Sequence, residues 1–435
     1  MAIPSCSRVI EDKDAPLEVR VIALRNRGAF LQAAGQLDRA AADYARAIKM
    51  APRDTRLNAQ IYVNLGVALA SQGDEAAAKA DYDQAIALDP SLASARLDRA
   101  ALYIGRGQDA EAIADLSEAI RANSRGASAF IGRGALYSRH GDQDRAIADF
   151  SMAIKLDASN AVSWLDRGFA YRAKGDNARA LADAREAVRL DPKMAEAHQD
   201  LALGLAASGD TATATQELDK AVQLNPKDAS ALVLRADNAL ARGDRDGAIA
   251  DYTQALAYDP KLTSAYNNRG VAYMGKSDWA AAIADFTTLI ALDPTQSAAF
   301  LNRGLSLQQN GDREAAMADF DHAIQLKPAS PEALRHRAFL NQVRGRYELS
   351  AADYGRAISI EPNDAEALRG RGLAELSLHD NDAAIADLTS AIAQNPKDGL
   401  AYRYRALAYS AKDDRARADA DDKASLQLDP DQRRR

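Results

Sequence analysis

The sequence predicts an all-α solenoid of about twelve helix–turn–helix units, and three observations carry that prediction. A 34-residue window recurs from Val21 almost to the end of the chain. Small side chains return at fixed places in it, and glycine and proline punctuate it where two helices have to stop. Hydrophobic residues make up 47% of the chain but aromatics only 6%, which suits closely spaced helices rather than a wide core. A globular chain of 435 residues would divide into two or three domains. A repeat array packs each unit only on its neighbours and extends its core in one dimension.

Taken in order, residues 1–20 read as a short helical lead-in covering the first unit. The stretch CSRVIEDKDAP loosely echoes YARAIKMAP, the tail of a second helix at Tyr44 to Pro52, so the alternative to a plain cap is the remnant of a degenerate repeat. Twelve windows follow, beginning at Val21, Ala59, Ala93, Ala127, Ala161, Ala195, Ala229, Thr263, Ser297, Pro331, Ala365 and Gly399. An insertion at 55–58 separates the first two. Four residues are close to one helical turn, so either a longer first helix or a longer loop is expected there.

Each window opens with a helix A whose position 8 is glycine (Gly28, Gly66, Gly134, Gly168, Gly270, Gly304 and Gly372) or alanine. Position 20 is alanine except for Ser350, and position 27 is alanine except for Leu289 and Ser425. Small side chains at these points let two antiparallel helices approach, and larger ones would overpack at about 1–3 kcal/mol each. Glycine at position 15 in nine windows stops helix A, because it tolerates the left-handed turn. Aspartate at position 16 then caps helix B, apolar residues at position 28 supply its buried stripe, and proline at position 32 closes it in ten windows. In the last window Asp422 stands where other repeats place an aromatic, as expected of a terminal repeat with nothing stacked on it. Residues 433–435 read as a frayed tail.

Between Ala161 and Met194, Trp164, Gly168, Tyr171, Ala180, Ala187 and Pro192 fall at positions 4, 8, 11, 20, 27 and 32. That spacing resembles the tetratricopeptide repeat (TPR). The resemblance covers residues 21–432 and implies a right-handed superhelix. Repeats of the form NRG followed by ADY or ADF are similar to those of many bacterial multi-TPR proteins. The resemblance also implies a non-catalytic scaffold or adaptor that binds peptide or protein segments in a concave groove lined by helix A positions 2, 5, 6, 9, 12 and 13.

The pattern departs from that family at position 7, where ten windows place arginine instead of leucine, as at Arg167. Position 23 is aspartate in eleven windows, as at Asp183. It lies on the same helical side as positions 20 and 27, so a ladder of Arg–Asp pairs along the helix interfaces is expected. Asp81, with Leu65 at position 7 of its own repeat, is expected to borrow Arg99 from the next. The competing reading is that the arginine stems cover apolar surface while their heads stay in water.

On the groove positions, Val63, Leu97, Ile131, Leu165, Val233 and Leu301 are expected to present aliphatic anchors. Arg335, Arg369 and Arg403 form a row for an acidic portion of the partner. Phe169, Phe339 and Tyr404 add aromatic surface, and Asn26, Asn64, Asn267, Asn268 and Asn302 offer hydrogen bonds to an extended backbone. Position 9 never holds asparagine, which disfavours the carboxylate grip by which some TPR co-chaperones hold a chaperone tail.

A net charge of −7 argues against nucleic acid as partner, and the absence of a long apolar run argues against membrane insertion. Cys6 alone forms no intrachain disulfide. The five histidines fall at five different repeat positions, and no metal, cofactor or nucleophile motif accompanies them. Neither catalysis nor a cofactor is therefore expected. No export signal is visible, so the chain as it stands reads as cytoplasmic, and as periplasmic if an upstream signal has been removed. The alternatives are a structural, self-associating or envelope-assembly protein and, more distantly, an RNA-binding helical repeat.

Overall fold

A computed structural model describes residues 2–51, 55–123 and 125–428. Pro52, Ser124, Pro430 and the tail 433–435 lie outside the described residues. Among the described residues the chain is all helix: α1 (Ala2–Glu11) and then twelve antiparallel A/B pairs, from Leu17–Ala33 with Leu37–Met50 to Gly399–Ala411 with Arg415–Leu428. Helix A usually spans thirteen or fourteen residues, as in Ala161–Ala173 and Ser297–Asn310. In repeat 2 it starts at the insertion and runs Thr55–Ser71.

The stops and starts follow from local chemistry. All nine position-15 glycines have φ between 68° and 95°. In the three repeats without glycine the same left-handed turn is made by Ser277, His379 and Asp413, with φ of 59°, 66° and 59°. The next residue is commonly aspartate, whose carboxylate accepts the N–H three residues on; Asp74, Asp142, Asp176, Asp244, Asp278, Asp312 and Asp380 all do so. That bond satisfies one of the four unpaired donors at the start of helix B.

Packing within a pair rests on a glycine-to-ring contact. A methyl group added at Gly28, Gly66, Gly134, Gly270 or Gly304 would lie within 3 Å of the ring at position 24: Tyr44, Tyr82, Phe150, Phe286 or Phe320. Gly372 meets Leu388 in the same way. Repeat 5 differs, because Ala184 replaces the ring and Gly168 has only ordinary contacts at 3.4 Å. Positions 20 and 27 are buried throughout.

The helices form two compact units, residues 1–224 and 225–435. The first holds α1 and repeats 1–6, the second repeats 7–12. Inside each unit, each B helix also packs on the A helix of the repeat that follows it. In the first unit α1 fills the place of a preceding B helix, with Ile10 buried and Ile3, Cys6 and Val9 against the cluster around Leu24 and Tyr44.

Candidate functional site

Two sets of side chains distinguish these repeats, one between the helices and one on the exposed face of the A helices. Between the helices, all ten position-7 arginines meet the aspartate sixteen residues later. Nε and Nη2 donate to the two carboxylate oxygens at 2.5–2.8 Å, from Arg27–Asp43 to Arg405–Asp421. This is the fork-to-fork geometry that makes guanidinium–carboxylate pairs specific. In at least eight of the ten, Nη1 also donates to a side chain on the preceding helix, sixteen residues earlier at Asp83, Ser117, Ser151, Thr253, Thr287, Asp321 and Thr389 and twenty earlier at Ser7. Each of these arginines therefore ties its own A/B pair to the helix before it, and Ser7 on α1 completes the series at the first repeat.

Arg167 adds stacking to charge, with its guanidinium 4.9 Å from the Trp164 ring and 5.7 Å from that of Tyr171. Hydrogen bonding to Asp183 raises the guanidinium's pKa against the opposing effect of burial. The two repeats without arginine differ from each other. In repeat 6, buried His198 takes over: Nδ1 lies 2.6 Å from Glu217 and Nε2 3.0 Å from the Pro192 carbonyl. In repeat 2 the expected loan does not occur. Arg99 reaches Asp83 and Asp115, two residues away from serving Asp81. Among the described residues no cation pairs with Asp81, and burial pushes its carboxyl up to about 6.

On the A-helix face the anchors shift from position 5 to position 9. Val63 and Leu165 are buried in core clusters, and Leu97, Val233 and Leu301 pack against such clusters. Ile131 is half-buried. The exposed apolar stripe is instead Phe169, Leu203, Val271, Phe339 and Leu407, 38–50% exposed, with Val162 and Leu400 beside it at position 2. Positions 5 and 9 are one turn apart on the same helix face, so packing between repeats rather than helical register separates them: position 5 meets the core clusters, while these position-9 side chains stay exposed.

In the second unit this face forms a cavity of about 300 Å³ across repeats 9–12, walled by Arg335, His336, Phe339, Arg369, Leu400 and Tyr404 and floored by Tyr354. The floor exists because position 6 of repeat 11 is Gly370; a methyl group there would sit 2.3 Å from the Tyr354 ring. His336 stacks on Phe320, and burial lowers its pKa, so the cavity wall carries a neutral imidazole at pH 7.

The arginine row is not an open cationic strip. Arg335 holds Asp364 at 3.1 Å and Glu366 at 2.6 Å, and Arg369 holds Asp398 at 2.7 Å. Arg403 is exposed and makes no ion pair among the described residues. The asparagines are partly engaged as well. Asn26 accepts from Arg25, Asn267 donates to Asn268, and Asn268 donates to Asp237. Asn64 lines a first-unit cavity, and Asn302 is half-buried at the same register.

Sequence reasoning passed over three residues at that register. Asp98, Asp166 and Asp200 occupy position 6, where other repeats have asparagine, and the shared position was the available signal. Asp200 is buried against Arg172. Asp98 and Asp166 have no cationic partner among the described residues, and burial pushes each carboxyl up to about 6. Among the described residues no group of His, Cys, Asp and Glu is placed to hold a metal ion, and no helix is long and apolar enough to cross a membrane.

Family profiles for the tetratricopeptide repeat match residues 59–92, 97–161, 165–229, 233–297 and 273–341, together well over half of the chain. No curated protein matches the sequence. Similar solved structures include the APC/C hetero-tetramer Cut9–Hcn1, 16% identical over 94% of each chain with a TM-score of 0.46. Yeast Tom70 is 18% identical over 95% of this chain and 93% of its own, with a TM-score of 0.38. YrrB, described as a TPR protein with an unusual peptide-binding site, is 20% identical over 42% of this chain and 95% of its own, with a TM-score of 0.39.

Proposed function

The chain belongs to the tetratricopeptide repeat family, and we propose that it is a non-catalytic scaffold that holds peptide or protein segments on the exposed face of its A helices. The observation that carries this reading is the cavity over repeats 9–12, where Phe339 and Leu400 stand exposed beside Arg335, Arg369 and Tyr404. Isolated exposed apolar side chains are ordinary on a protein surface, but a repeating stripe of them beside a concavity fits a docking face. An apolar side chain of the partner fills the cavity. An acidic residue next to it meets Arg403, or reaches Arg335 by displacing Glu366, which is 65% exposed. Since Arg335 and Arg369 are already neutralised, the preference for acid is modest.

The test is affinity of library-selected peptides for the full chain and for Phe339→Ala, Leu400→Ala and Arg403→Ala. Loss of affinity by tenfold or more in either apolar variant, with a smaller, salt-dependent loss in Arg403→Ala, supports the reading. Affinity unmoved in all three refutes it. Light scattering of the free protein tests the alternative that a second copy fills the groove.

A further inference from the structure

We propose that, in the first unit, the groove of repeats 2–5 docks a basic protein segment, with one lysine or arginine seated at Asp98 and a second at Asp166. The inference rests on the groove reading above and adds the charge of the partner. Asp98 lies where two shallow cavities of about 460 and 350 Å³ adjoin, one lined by Val63, Asn64 and Val67 and the other by Val67, Tyr82 and Leu102. The carboxylate thus sits within apolar walls that match the aliphatic stem of a long cationic side chain. The cation on this face, Arg25, is held by Asn26 and Gln60 instead. The setting is unusual in this chain, where ten of the twelve position-23 carboxylates each carry a bidentate arginine.

Asp166 repeats the position two units further on, flanked by exposed Val162 and Phe169. Arg172, on the same A helix, is taken by Asp200. Burial makes both carboxyls harder to ionise; each is still mainly ionised at pH 7 and without a counter-charge. An arriving cation supplies that charge and is itself partly desolvated by the apolar walls, which is the setting in which a charge-assisted bond contributes most. Adjacent A helices lie about 8–10 Å apart, so the two carboxylates are on the order of 20 Å apart. An extended chain advances about 3.3 Å per residue, which places the two basic residues roughly six positions apart.

The experiment selects random twelve-residue peptides by display on the full chain, in parallel with Asp98→Asn/Asp166→Asn and with Phe169→Ala. Asparagine is isosteric and removes a half-buried charge, so both substitutions are expected to leave the melting curve intact or raise it. The expected result is a wild-type pool enriched in paired lysine or arginine at about that spacing, losing about tenfold in affinity for each aspartate replaced. A pool that is weakened by Phe169→Ala but is neutral or acidic, or whose affinity the aspartate variants leave unmoved, overturns the charge inference while the groove reading stands. A pool insensitive to all these variants, or no enrichment at all, overturns both.

Discussion

Replacing Arg167 by methionine tests whether the arginine ladder holds the repeats together. The substitution keeps much of the stem volume and removes the guanidinium. It deletes two 2.8 Å bonds to Asp183, a 3.1 Å bond to Ser151 and the stacking on Trp164 and Tyr171. The side chains are 16% and 6% exposed, so Asp183 is left nearly dry and unpaired. Stranding one member of a fully buried pair costs about 3–5 kcal/mol. Discounting for the partly wet arginine and adding the lost stacking gives roughly 2–4 kcal/mol. Arrays need not unfold in one step, so the assay is hydrogen exchange in Ala161–Ala173 and Asn177–Leu190 alongside urea denaturation. Arg167→Met/Asp183→Leu, with both charges gone, is expected to recover much of the loss. A single variant within about 0.5 kcal/mol of wild type, in the range of a surface substitution, would refute the ladder as a structural element and favour arginines that merely cover apolar surface.

Four further outcomes follow from the backbone and the buried charges. Gly168→Ala is expected to be neutral or to stabilise by up to about 1 kcal/mol, since its methyl group meets only 3.4 Å contacts and alanine is the better helix former. Gly304→Ala, whose methyl group falls 2.7 Å from the Phe320 ring, is expected to cost about 1–3 kcal/mol; melting curves of the two separate the cases. Asp81 has a carboxyl raised from 3.8 to about 6 in the folded chain, so the fold favours its protonated form, and stability is lost as pH rises from about 4 to 6. Denaturation at pH 4 and pH 7.5 should therefore show Asp81→Asn matching wild type at the lower pH and exceeding it at the higher. His379→Gly removes the Cβ strain of a non-glycine residue held at φ 66°, and should stabilise by about 0.5–1 kcal/mol despite glycine's larger unfolded-state entropy, read by the same denaturation.

The scaffold was legible because its signals are local and repeated. Glycine at position 15, aspartate at 16 and small residues at 8, 20 and 27 each answer a requirement that one turn or one close contact imposes, and twelve copies average out the exceptions. The Arg–Asp spacing was legible for the same reason, since position 7 and position 23 recur together. What escaped were features set by orientation between repeats. Helical period puts Leu165 and Phe169, four residues apart, on one helix face, and only packing decides that Leu165 enters the core and Phe169 faces solvent. The arginine row looked open because Asp364, Glu366 and Asp398, which neutralise it, lie about thirty residues away in sequence, at the start of the next A helix. His198 escaped because it reaches Glu217 from position 4, where ten of the other windows place leucine or an aromatic residue and only Arg96 in repeat 3 carries a charge. Asp81 misled for a related reason: the vacancy at Leu65 was visible, but the direction of the Arg99 side chain was not.

The central claim, that partner segments lie along the exposed A-helix face, is tested most directly by hydrogen–deuterium exchange of the full chain with and without a saturating selected peptide. The account predicts added protection in Pro331–Val343, Ala365–Ser377 and Gly399–Ala411 for peptides that fill the repeat 9–12 cavity, with the intervening B helices Tyr347–Ile360 and Asn381–Gln394 unchanged. Protection confined to the B helices, or spread evenly over both, would contradict it.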